Sequence, residues 1–99
     1  MLLVREIMFC KPGKVRPLVE KFLAMKKLGE MAGWGRMRVL TDVSSERYWM
    51  LVSEMEVEDL DQFMKMDMDS PEAKEMEEIM KGYHDLVESG RREIYTIEG

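Results

Sequence analysis

Leu2-Leu3-Val4-Arg5-Glu6-Ile7-Met8-Phe9-Cys10 is the stretch on which the fold turns. It is bounded by the turn signal Lys11-Pro12-Gly13-Lys14 and reads as a strand. One alternate set holds Leu3, Ile7 and Phe9; the other holds Leu2, Val4, Met8 and Cys10. Both sets are apolar, whereas a half-exposed strand alternates apolar with polar. Such a strand is expected to be covered on both faces.

Outward from it, a helix is expected from Pro12, with Val15, Leu18, Val19, Phe22, Leu23 and Met25 close to the i, i+3, i+4, i+7 pattern. Gly29, Gly33 and Gly35 punctuate a loop. Strands over 37–43 and 48–55 flank the turn at Ser44-Ser45-Glu46, with Trp49, Leu51, Ser53 and Met55 on one face and Tyr48, Met50 and Val52 on the other. A short helix begins at Val57-Glu58-Asp59-Leu60, and Ser70-Pro71 restarts a second piece carrying Met76, Met80, Tyr83 and Val87. Gly90 is expected to stop it, and Arg92 to Glu98 forms the last strand.

This βαββαβ order predicts an α+β, ferredoxin-like fold: one domain over 1–99, a four-stranded antiparallel sheet, and helices on one face. The other apolar face then needs cover, and a homodimer joined through the sheets is the expected solution.

Composition excludes several classes. With 45% hydrophobic and 35% charged residues the chain is globular. The single cysteine, Cys10, permits no internal disulfide and no thiolate zinc site. The apolar run at the start is broken by Arg5 and Glu6, and no segment approaches the roughly 20 apolar residues of a membrane span, so a cytoplasmic protein without membrane contact is expected. Residues 1–52 carry ten Lys/Arg against five Asp/Glu, and residues 53–99 carry five against fifteen. A basic helix beside an acidic one accounts for this more simply than nucleic-acid binding.

Gly33-x-Gly35 is followed by Arg38 instead of a third glycine, so it is no dinucleotide fingerprint. Asp67-x-Asp69 runs into Ser70-Pro71, not into the further ligands of a calcium loop. No metal and no cofactor are expected.

The candidate catalytic residues are His84, the only histidine, and its neighbour Tyr83. Against this stands a hydrogen-bonded helix histidine at the surface. Trp49, Tyr48 and Tyr95 are candidates to line an aromatic pocket, against ordinary packing. Arg5 interrupts an apolar strand and is a candidate anion binder, against an ion pair with Glu54, Glu93 or Glu98. Trp34 is either a lid or a loop residue anchored on the core. The twelve methionines suit an adaptable apolar pocket, and equally an ordinary core.

With Lys11-Pro12-Gly13-Lys14 ending the first strand and Gly90-Arg91-Arg92-Glu93-Ile94-Tyr95 near the last, the layout resembles the dimeric α/β-barrel superfamily. Within it the chain looks like small NIPSNAP-type and antibiotic-biosynthesis-monooxygenase-type proteins. The resemblance implies two sheets closed into one barrel across a dimer, with a pocket in each subunit between sheet and helices. Its haem-degrading members use an asparagine on the first strand with a tryptophan and a histidine on the second helix. This chain contains no asparagine, and Trp49 falls in a strand region 35 residues from His84. The expected function is binding of a small apolar or aromatic molecule. The alternative is a cofactor-independent oxygenase acting on an aromatic or polyketide-like substrate.

Overall fold

The computed structural model describes residues 1–68 and 71–99. β1 (Leu2–Cys10) leads into α1 (Val15–Ala32), followed by β2 (Met37–Thr41) and β3 (Met50–Val57). Then come α2 (Leu60–Met68), α3 (Ala73–Ile79), the single turn α4 (Tyr83–Leu86) and β4 (Val87–Thr96). The sheet order is β2-β3-β1-β4, antiparallel throughout. The expected ferredoxin-like layout is therefore present. Closure into a barrel is not: the sheet is open, with β2 and β4 as its two edges.

The alternation of β1 assigns the faces. Val4, Met8 and Cys10 point to the helices, where Met8 and Cys10 pack with Leu18, Val19, Phe22 and Leu51. Val4 packs with Val57 and Phe63 of α2. Ile7 and Phe9 point to the opposite, outer face, against Met50 and Val52.

That outer face is not the bare apolar surface the sequence suggested. Ile7, Phe9 and Met50 are already buried within one chain. The β2–β3 loop crosses the face: Arg47 reaches Glu88 and Glu46 reaches Arg91, both on β4. The Arg47 guanidinium sits 4.4 Å from the Phe9 ring centroid, a cation–π contact. Arg5, Glu54, Glu93 and Arg38 occupy the other end of the same face.

Element boundaries differ from the expected ones for local reasons. α1 starts at Val15, not Pro12, and takes Pro17 into its first turn, where an N–H is not needed. It ends on left-handed Gly33, with Trp34 N–H bonded to the Gly29 carbonyl. Val57 belongs to β3, and α2 begins at Leu60. There Asp59 Oδ1 accepts from Gln62 N–H, and Gln62 Oε1 accepts from Glu58 N–H, a variant of the reciprocal capping arrangement.

The restart expected at Ser70-Pro71 involves a residue, Ser70, outside those described; α3 itself opens at Ala73. Left-handed Gly82 separates α3 from α4, and the chain turns extended at Val87. Gly90 thus lies inside β4 opposite Met8, where a Cβ would sit 2.9 Å from the Ile7 carbonyl oxygen. The glycine is required by close backbone approach, not by a helix stop. The basic α1 does lie beside the acidic α3. Lys21 Nζ donates to the Ile79 carbonyl at 3.1 Å and to that of Lys81, neutralising the carbonyl end of α3. Among the described residues no helix is long and apolar enough to cross a membrane.

Leu51 is fully buried at the centre of this core. Leu51→Ala is expected to lower stability by about 2–5 kcal/mol in denaturant titration. Leu40→Ala, at a partly exposed position of edge strand β2, should cost only about 0.5 kcal/mol.

Candidate functional site

Between the helix-facing side of the sheet and α1–α3 lies a cavity of about 280 Å³. Its apolar wall includes six methionines: Met8, Met25, Met37, Met55, Met76 and Met80. Phe22, Phe63 and Trp34 complete it. The Trp34 indole rests against Gly29, where an added Cβ would lie 3.3 Å from the ring. Of the two alternatives for Trp34, the structure shows the core-anchored one.

The polar groups of the cavity come from the sheet, from α4 and from α1. Glu6 is the one charged residue in the helix-facing set of β1. Across the ladder it meets Ser53 of β3 on one side and Arg92 of β4 on the other. Arg92 Nε donates to Glu6 Oε1, and its guanidinium lies 4.8 Å from the Phe63 ring centroid. Tyr83 lines the same space. Burial, then the Glu6 carboxylate, then Cys10 push its phenol above the usual value. Tyr83 is consequently a neutral hydrogen-bond donor over the physiological range. Lys26 of α1 lines the cavity too.

The sequence-derived candidates separate. Tyr83 lines the cavity. His84 is exposed and does not line it, touching the site only through a T-shaped ring contact with Tyr83 at 5.3 Å. Trp49 is not in β3 but precedes it, with a left-handed backbone (φ 64°). Its carbonyl accepts from Cys10 N–H, and its side chain joins Tyr48, Arg16 and Asp42 around a separate surface cleft. The strand register that put Trp49 on the Leu51 face therefore fails at that residue. Tyr48 is 84% exposed.

Arg5 and Tyr95 lie on the outer face. Arg5 sits 2.9 Å from Glu54 and 3.2 Å from Glu93, two of its three expected partners. The Tyr95 hydroxyl donates to Glu93 and is the main cause of that carboxyl's lowered pKa. Cys10 is buried, and burial followed by the charge of Asp42 pushes its thiol up, leaving it unreactive near neutrality. Among the described residues no cluster of three or more His, Cys, Asp or Glu side chains is placed to hold a metal ion.

Sequence reasoning missed Glu6, Arg92, Ser53 and Lys26. Part of the signal for Glu6 was present: it shares the alternate set of Val4 and Met8, and so had to lie on their face of the sheet.

No protein-family profile and no curated protein matches this sequence. Solved structures do match it. An uncharacterized NIPSNAP-like domain protein from Burkholderia xenovorans aligns over 97% of this chain and 84% of its own, at 16% identity and a TM-score of 0.73. A candidate antibiotic biosynthesis monooxygenase from Nitrosomonas europaea covers 100% of both chains at 13% identity and a TM-score of 0.74. A similar candidate from Deinococcus radiodurans covers 100% of this chain and 94% of its own, at 10% identity and a TM-score of 0.70. The chain shares their fold. Identities this low carry no function across.

The raised Tyr83 pKa has a signed consequence. Below pH 10 the phenol is protonated in both folded and unfolded chains, so it adds no pH dependence. Above pH 10 the unfolded chain ionises first, and stability falls as pH rises through the folded pKa. Tyr83→Phe should flatten that alkaline loss in pH-dependent denaturation. Glu6→Gln should lower the Tyr83 value only in part, because burial is the larger cause.

Proposed function

We propose that the protein binds a small, largely apolar molecule in the cavity between the sheet and α1–α3. The observation that carries this reading is a six-methionine wall around the convergent polar groups Glu6, Arg92, Ser53 and Tyr83. Thioethers adapt to varied apolar shapes, and a few fixed polar groups orient what they enclose. Two of the similar structures are candidate antibiotic biosynthesis monooxygenases, which accords with it.

A catalytic reading is favoured by one observation, the pairing of a neutral phenol with a carboxylate in the same space. Tyr83 would donate a hydrogen bond to a substrate oxygen, and Glu6 would accept a proton. A substrate that readily forms a carbanion would itself reduce oxygen. His84 would act only through Tyr83, as a positioning residue.

Self-association belongs to the same proposal, as a contact between outer faces of open sheets. Leu40, Tyr48 and Tyr95 leave apolar surface exposed on or beside that face.

A thermal-shift screen with quinol and flavonoid compounds tests the cavity. A ligand at one hundred times its Kd should add about 2.7 kcal/mol of stability, and Met80→Trp, which fills the cavity, should abolish the effect. No shift with any compound, or a shift that survives the filling variant, overturns the reading. Sedimentation at micromolar concentration should show a dimer that Val52→Lys weakens; a monomer overturns the self-association.

A further inference from the structure

We infer that the molecule taken by this cavity is a monoanion, a small apolar body bearing one carboxylate that Lys26 receives; this builds on the binding function proposed above. The face that α1 turns to the cavity consists of Phe22, Met25, Lys26 and Gly29, spaced by three, four and seven residues. Such a stripe is expected to be apolar throughout. A lysine stands in it, and it is half-buried.

Charge is unbalanced at this point. Of the three charged groups lining the cavity, Glu6 and Arg92 neutralise each other. Lys26 makes no ion pair among the described residues. Glu30, one helical turn on, shares an adjoining surface cleft with it, together with Glu54, Glu56, Arg36 and Arg38, and none of these carboxylates pairs with Lys26. Among the described residues the cavity thus presents one uncompensated positive charge, within a chain of net charge −5. A partly desolvated cation calls for an anionic partner. An ammonium on a flexible four-carbon stem can follow a carboxylate whose position depends on the bound body. The methionine and phenylalanine walls take up that apolar body.

The test is calorimetric titration with 2-naphthoate and with the uncharged, near-isosteric 2-naphthamide, at neutral pH. The wild-type chain should bind the naphthoate at least tenfold more tightly than the amide, with the ratio narrowing as salt is raised. Lys26→Met should bring the ratio close to one by loss of naphthoate affinity, and binding of the amide that remains measurable shows that the cavity stays formed. Lys26→Arg should retain the preference. Equal binding of both probes by the wild type overturns the charge inference and leaves the cavity reading standing. A preference that persists in Lys26→Met overturns the assignment to Lys26. Failure of both probes to bind overturns this inference together with the binding function beneath it.

Discussion

The hydrogen-bonded ladder on both edges of β1 is the constraint from which the rest follows. β1 pairs with β3 along one side and with β4 along the other, over nearly its whole length. Its alternation therefore distributes residues to two faces with no freedom to slip, because a one-residue shift would exchange Val4 and Met8 for Arg5 and Phe9. The single departure from regular pairing comes at Phe9–Cys10, where the strand ends.

The two faces handle charge differently. On the outer face Arg5 holds two carboxylates, and Glu54 is shared with Arg38. These pairs are cross-strand neighbours, so the register itself brings them together. On the inner face Glu6 and Arg92 pair with each other at the partly exposed edge of the sheet, and Arg92 stacks on Phe63. The inner pair is thereby linked to α2, whereas the outer network joins strands to the β2–β3 loop, through Arg91 to Glu46.

Helix packing leaves the inner pair partly uncovered. α1 covers Met8, Cys10 and Leu51, and α2 covers Val4 and Val57. Between these two contacts the methionines of β1, β2, β3, α1 and α3 surround an unfilled volume. Ordinary close packing would have filled it. A gap walled by flexible side chains and floored by fixed polar groups is suited to a guest.

The element order and the two alternate sets of β1 were determined by the sequence alone, since alternation and helical period are local properties of the chain; which of Glu54, Glu93 and Glu98 meet Arg5 was decided by strand pairing. The cover of the outer face was decided by tertiary structure. No local pattern in Glu46 or Arg47 announces that their loop will reach past β3 and β1 to Arg91 and Glu88 on β4. The same holds for the site. His84 and Trp49 stood out as residue types, yet one is turned to solvent and the other falls before β3 in a left-handed backbone. Glu6, Arg92 and Lys26 come from positions up to 86 residues apart, and only the pairing of β1 with β4 and the docking of α1 bring them to one cavity. Chemistry that depends on such distant neighbours is written in the packing, where short-range sequence signals do not reach.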